Sequence, residues 1–320
     1  MISVNSLKKS TINTLFYYAN NFEENDNDVN SCMKGKILCN AFFEPSTRTM
    51  MSFESAMLRL GGNIINFNPI TSSLKKGETF EDTMKTLQEY SDIIVLRHPE
   101  NDRINEAEQF LDKPIINGGN GDGEHPTQAL LDLYTINKNI NTKNVINICF
   151  IGDILHSRTI HSLLILLSKY QLKCDISFLC YPNCEPDEKL KQIIESLNYK
   201  INYIEDLTNI EHYDVIYCSR LQKERIKDLN SFDISKYQLT GKNIQKMKSN
   251  SIILHPLPRN EEISIEVDKD CRAKYFEQVK NGVYIRMAII YCIVFNQLDN
   301  IFCTEEHSYR SQLRSEIHAW

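Results

Sequence analysis

The sequence predicts an α/β protein of two domains, each a mainly parallel sheet with helices on both faces, with a C-terminal helix packing back on the first domain. Three observations predict it. Short apolar runs rich in Ile, Val and aromatic residues alternate with helical patterns, the alternation occurs twice, and 320 residues exceed what one core usually fills.

In the first half, strands are expected at 36–43, 63–68, 92–97 and 114–117, each followed by a polar turn or a helical pattern. In the second, strands are expected at 145–152, 175–181, 200–204, 214–218 and 251–254, with helices between them at 157–171 and 187–197. A helix between successive strands is the crossover that parallel pairing requires. The boundary falls in the polar, asparagine-rich stretch 138–144, giving domains at 1–140 and 141–282. The apolar stretch 283–298 is broken by Arg286 and falls short of the roughly 20 residues of a membrane span. It reads as a buried helix, and 283–300 is assigned to the helix that returns to the first domain. The Asn/Asp cluster at 20–30 reads as a surface loop, and the tail 301–320 shows no periodicity.

A 42% hydrophobic, 24% charged chain with formal net charge −6 belongs with ordinary soluble proteins and argues against nucleic acid as a partner. Its ten cysteines lie scattered in apolar runs, such as Cys149 and Cys292, and read as free thiols in a reducing compartment. Cys180 and Cys184 form the one close pair, with no further Cys or His at a zinc-site spacing, so no metal is expected. The N-terminal MISVNSLKKS lacks the apolar core of a signal peptide. A cytoplasmic protein without a membrane partner is expected.

The chemistry concentrates at strand–loop–helix junctions. Ser46-Thr47-Arg48-Thr49 follows an apolar strand and opens a helix running to Gly61 and Gly62. Ser46 is a good N-cap; first-turn amides and the helix dipole suit a phosphate, and the hydroxyls and the Arg48 guanidinium add donors. Read alone, the tetrad is more readily a capped helix beside a solvated arginine than a phosphate site. With its flanks, FFEPSTRTMMSFESAMLRLGG resembles the carbamoyl-phosphate motif of the aspartate and ornithine carbamoyltransferase family. The resemblance implies that Ser46, Thr47, Arg48 and Thr49 bind the phosphate. Met50 stands where the family usually has a second arginine, a departure that bears on support of the loop more than on phosphate binding.

The same resemblance extends over nearly all of the chain. His125-Pro126-Thr127-Gln128 before a leucine-rich helix matches the family's HPTQ, implying that His125 contacts the carbonyl oxygen and Gln128 the carbamoyl amide. A neutral imidazole there would stabilise the charge that develops on that oxygen. Arg97 falls in the family's RHP tripeptide and would bridge phosphate and carbonyl oxygen; His98 has no assigned role. In the second half, Arg158 of GDILHSRT resembles the arginine for the α-carboxylate. In SRLQKER, Arg220 and Gln222 would face the substrate and Arg225 position the loop. Two carboxylates on L-aspartate call for forked cations, which arginine supplies better than lysine.

His255-Pro256-Leu257-Pro258-Arg259 closes the list, with Leu257 and Pro258 offering carbonyls to the carbamoyl amide. Ornithine carbamoyltransferases usually carry HCLP there, so Pro256 favours L-aspartate as acceptor, and a cationic amino acid would be poorly served by Arg158 and Arg220. The resemblance makes 1–140 a carbamoyl-phosphate-binding domain and 141–282 an aspartate-binding domain. It also implies a homotrimer with shared sites, because the loop holding Ser72 and Lys76 would enter a neighbour's cleft and Lys76 would there reach both substrates. Regulatory or pathway partner chains are compatible with it.

The expected reaction is carbamoyl transfer from carbamoyl phosphate to L-aspartate in de novo pyrimidine biosynthesis, with no cofactor. Arg48, Thr49, Arg97 and His125 are the catalytic candidates. Ornithine or another amine as acceptor is one alternative, separable by assay with both amino acids. A non-catalytic carbamoyltransferase-like binding protein is the other, and it would be expected to lose one of Arg48, His125 or Arg220, all of which are present.

Overall fold

A computed structural model describes residues 1–25, 31–222 and 234–297. After α1 (Lys9–Glu24), the first half runs β1 (Ile37–Phe42), α2 (Thr47–Arg59), β2 (Asn63–Phe67), α3 (Phe80–Glu89), β3 (Ile93–His98), α4 (Arg103–Phe110), β4 (Ile115–Asn120) and α5 (Pro126–Asn139). The second half runs β5 (Ile146–Gly152), α6 (Arg158–Tyr170), β6 (Cys174–Cys180), α7 (Glu188–Ser196), β7 (Lys200–Tyr203), β8 (Val215–Cys218), α8 (Gly241–Ile244), β9 (Ile252–Leu254) and α9 (Tyr275–Val294).

Among the described residues all strand pairs are parallel, in the orders β2-β1-β3-β4 and β7-β6-β5-β8-β9. Each order reverses direction once, between β1 and β3 and between β5 and β8. At such a point the loops leaving two adjacent strand ends diverge to opposite faces and open a crevice beyond the carboxyl edge. Central strands read as continuous apolar runs because helices cover both faces: every residue of β3 is buried.

The largest apolar cluster takes side chains from both halves, including Leu38, Val95 and Leu130 from the first and Phe150, Ile160 and Tyr217 from the second. Helix α9 packs on α1, α2 and α5, which places the C-terminal helix against the first domain. Met50, where the family motif has arginine, is partly buried against this same cluster.

Three expectations change. Helix α9 begins at Tyr275, ahead of the apolar run at 283, because its first turns bury polar residues that hydropathy does not flag: Gln278 and Asn281 are buried and donate to Asp132 and Thr135. The expected loop at 20–30 is helical through Glu24, since Asn20 accepts from the Tyr134 hydroxyl and Glu23 from Lys138. Ser46 does occupy the N-cap of α2, but its side chain makes no capping hydrogen bond. The expected tail at 301–320 and Arg225 lie outside the described residues.

Candidate active site

Both crevices feed one cavity. It is lined by Ser46, Arg48 and Thr49 after β1, Arg97 at the end of β3, and His125 after β4. From the second half come Ser157, Arg158 and Thr159 after β5, Ser219, Arg220 and Gln222 after β8, and His255 to Pro258 after β9. At about 180 Å³ it suits small polar ligands, below the range typical of drug-sized sites.

Register fixes the geometry of the first half. Phe42 pairs with Arg97, and Phe43 N–H donates to the Arg97 carbonyl at 2.8 Å, so the phosphate-type loop and the arginine leave the sheet side by side. Arg97 donates through Nη1 to Gly118 O at 3.0 Å and pairs through Nη2 with Glu44 Oε1 at 2.6 Å. Glu44 Oε1 also meets Arg158 Nη2 at 3.2 Å, and Arg158 Nη1 donates to Gly121 O. One carboxylate thus ties an arginine of each half together. Gly119, at φ 115°, is held where a Cβ would lie 2.8 Å from Arg97 Nη1, so only glycine lets the two guanidinium groups approach.

Arg48, Arg97, Arg158 and Arg220 share the cavity wall, which selects for anions. Burial, then Arg158, lowers the Arg97 guanidinium to about 10, still cationic at neutral pH. Arg48 is lowered by partial burial and by Arg220. His125 is buried and pushed well below the ordinary imidazole range, first by burial and then by Arg158, Arg97 and Arg286. It is therefore neutral at pH 7. Its Nε2 lies 3.4 Å from Thr49 Oγ1, and its backbone N–H is fixed by Ser162 Oγ at 2.9 Å. Buried His125 Nδ1 and Arg97 Nε have no hydrogen-bond partner among the described residues. Such atoms are costly unless something else meets them.

The HPLPR loop is braced from behind. His255 N–H donates to Gln278, Leu257 N–H donates to His255 Nδ1 at 2.8 Å, and His255 Nε2 lies 2.7 Å from Glu262. Burial lowers His255, and a neutral ring protonated on Nε2 satisfies both contacts. Leu257 is thereby held at φ 55°, a left-handed conformation that costs a non-glycine residue of the order of 1 kcal/mol. Arg259 turns away to Asp268 and Tyr275.

Some expected residues sit elsewhere. Thr47 is exposed and outside the cavity lining. Gln128 Nε2 donates to Asp132 Oδ1 at 2.8 Å. Ser72 caps the short 3-10 helix Ser73–Lys76, which with exposed Lys76 lies outside this chain's own cavity wall. His98 packs between Phe43 and Phe80. The sequence reading gave no role to Glu44, although an acid at a strand end beside so many arginines was a usable signal. It also passed over Ser157, Thr159 and Ser219, whose signal is only their position in the βα turns.

Residues 1–138 match the family described as aspartate/ornithine carbamoyltransferase, carbamoyl-P binding domain, and residues 144–293 the Asp/Orn binding domain of the same family. The chain belongs to the aspartate/ornithine carbamoyltransferase family. Within it, the chain is 44% identical over 303 residues to the aspartate carbamoyltransferase catalytic subunit of Picrophilus torridus, covering 92% of this chain and 97% of that one. It is 43% identical over 296 residues, 91% of its length, to a segment making up 13% of the multifunctional protein URA2 of Saccharomyces cerevisiae. Among solved structures, the catalytic subunit of M. Jannaschii aspartate transcarbamoylase superposes with TM-score 0.86 at 37% identity, covering 92% of this chain and 98% of that one. Aspartate transcarbamoylase from Trypanosoma cruzi in complex with carbamoyl phosphate gives 0.85 at 37% identity, with 91% and 94% covered.

Proposed function

We propose that the chain transfers the carbamoyl group of carbamoyl phosphate to the amine of L-aspartate, releasing N-carbamoyl-L-aspartate and phosphate, as a step of pyrimidine biosynthesis. The observation that carries this is the meeting of Arg48 and Arg97 from one half with Arg158 and Arg220 from the other around a neutral, buried His125. Two anionic substrates need cations from two directions, and a carbonyl between them needs a neutral donor.

In this reading Ser46, Arg48 and Thr49 hold the phosphate, Thr47 lying outside the cavity lining, and Arg158, Arg220 and Gln222 hold the aspartate carboxylates. The amine nitrogen bonds to the carbamoyl carbon, Thr49, Arg97 and His125 stabilise the oxyanion, and the bond between that carbon and the bridging oxygen breaks, the oxygen leaving with the phosphate. The departing phosphate accepts the amine proton. Leu257 and Pro258, in the cavity wall, orient the carbamoyl amide. Most of the acceleration comes from orientation and fixed charge.

The same reading makes the protein a cytoplasmic homotrimer in which Ser72 and Lys76 complete a neighbour's site. Exposed Met51 and Leu58, two turns apart on α2, and exposed Ile70 beside the Ser72 loop support burial of this face in an assembly. No helix among the described residues is long and apolar enough to cross a membrane.

The direct test compares L-aspartate with L-ornithine as acceptor, with carbamoyl phosphate as donor. Carbamoylation of aspartate alone supports the proposal; preference for ornithine, or no transfer to either, overturns it. Shared sites have their own test. Inactive Lys76→Ala and His125→Ala chains, mixed and reassembled, should regain about a quarter of the sites, since cleft and loop donor are each intact about half the time. Proven subunit exchange without recovered activity would refute sharing.

A further inference from the structure

Beyond the cavity, the turns after β5 and β6 bring together three side chains whose chemistry carbamoyl transfer does not use. Asp153 is the first residue past β5, His156 lies three residues on, and Cys184 lies in the turn after β6. One ligand atom of each lies within 4.8 Å of the other two. His156 Nδ1 is 2.9 Å from Asp153 Oδ1, and the Cys184 sulfur lies within 4.8 Å of both residues' ligand atoms. Asp153 and Cys184 are fully buried, while the His156 side chain is 24% exposed, which leaves an approach from solvent on the imidazole side.

The backbone holds the three in place. Leu155 N–H donates to Cys184 O at 2.9 Å, Cys184 N–H donates to Tyr181 O at 3.0 Å, and His156 N–H donates to Asp153 Oδ1 at 3.1 Å. Asp153 Oδ2 accepts from Gln222 N–H at 3.2 Å, so the carboxylate already has the outer support a ligand needs.

We propose that Asp153, His156 and Cys184 form a binding site for a borderline-soft divalent cation of the Zn²⁺ type. One sulfur, one imidazole nitrogen and one carboxylate oxygen match the donor preference of Zn²⁺, with water as a fourth ligand. Mg²⁺ and Ca²⁺ need six or more oxygens and find one carboxylate here. Bonds of about 2.0 to 2.3 Å set tetrahedral ligand atoms roughly 3.5 Å apart, so separations of up to 4.8 Å close by at most about 1.3 Å and the 2.9 Å pair opens slightly around an ion.

Binding replaces the contact between His156 Nδ1 and Asp153 Oδ1 with metal bonds. The thiol proton leaves to water, and His156 binds through Nδ1 with its proton on Nε2. Burial, then Asp153, keeps the Cys184 thiol protonated without metal, so affinity rises with pH. The site escaped the sequence reading because only one of its ligands belongs to the Cys180–Cys184 pair and another is an acid.

The test titrates the metal-free full chain with Zn²⁺ against a chromogenic chelator, and with Co²⁺ by absorbance. One tight Zn²⁺ per chain and a thiolate-to-cobalt charge-transfer band are expected. Cys184→Ser should abolish the band and weaken Zn²⁺ at least tenfold, and His156→Ala should weaken Zn²⁺ similarly. Cys271→Ser and Cys303→Ser should change neither. If Cys184→Ser fails to fold, the partly exposed His156→Ala decides alone. Binding insensitive to His156 and Cys184, binding lost with Cys271 or Cys303 instead, or no Zn²⁺ uptake overturns the proposal.

Discussion

Two buried polar clusters lie about two turns apart along α5, and they differ in how completely they are satisfied. In front, Arg97 and His125 line the cavity, and their buried Nε and Nδ1 have no partner among the described residues. Behind, Asp132 accepts from Gln128 Nε2 at 2.8 Å, from the Tyr217 hydroxyl at 2.8 Å and from Gln278 Nε2. Those donors come from α5, from β8 of the second half and from α9. Gln278 in turn accepts from His255, so the rear cluster anchors the HPLPR loop as well. A buried polar group with every partner in place acts as scaffold, whereas polar side chains lining a cavity can meet a ligand. The difference separates what holds this molecule together from what it does.

The comparison breaks most visibly at Asp132. Asp132→Ala removes the acceptor from two buried donors, Tyr217 and Gln278, and from half-buried Gln128, and should lower stability by roughly 3 kcal/mol or more, read as the urea midpoint. A loss under 1 kcal/mol would show that the rear cluster is not scaffold. Next comes His125→Ala, which should reduce carbamoyl transfer about 100- to 1,000-fold in kcat with only a modest change in midpoint.

The third prediction concerns pH. Burial raises the Asp132 carboxyl from 3.8 to about 7, against the pull of Gln278, Tyr217 and Gln128. A raised acid binds its proton more tightly in the folded chain. Its stabilising effect is therefore full below 3.8 and is lost as pH rises to about 7. Wild type should lose roughly 2 kcal/mol relative to Asp132→Asn between about pH 5.5 and about pH 8. Equal midpoint shifts in the two proteins would contradict it. The smallest effect is at Ser46: without a capping hydrogen bond, Ser46→Ala should cost less than about 0.5 kcal/mol where a working cap costs about 1, yet it should still weaken carbamoyl phosphate binding.

Much of the frame could be read from the chain because β-branched runs such as Ile93–His98 have few other uses, and because turn residues marked their ends. The arginines of the site were found by motif, and the cavity does gather Arg48, Arg97, Arg158 and Arg220. The rear cluster was hidden. Asp132 reads as an ordinary acid in a leucine-rich helix, and its burial depends on Gln278, 146 residues away. The early start of α9 and the length of α1 escaped for the same reason: polar residues bonded across the fold look like loop or surface in a local window. Glu44 was visible but uninterpreted, because pairing with Arg97 and Arg158 exists only once the two halves meet.

The account stands or falls on the front cluster being a binding site and not a structural one. Calorimetric titration of carbamoyl phosphate into wild type and Arg48→Ala, with urea midpoints of both, tests this directly. Arg48 stands at the exposed rim of the cavity. The account predicts that affinity falls about 100-fold while the midpoint stays within about 0.5 kcal/mol of wild type. Unchanged affinity, or a midpoint that falls in step with it, would contradict it.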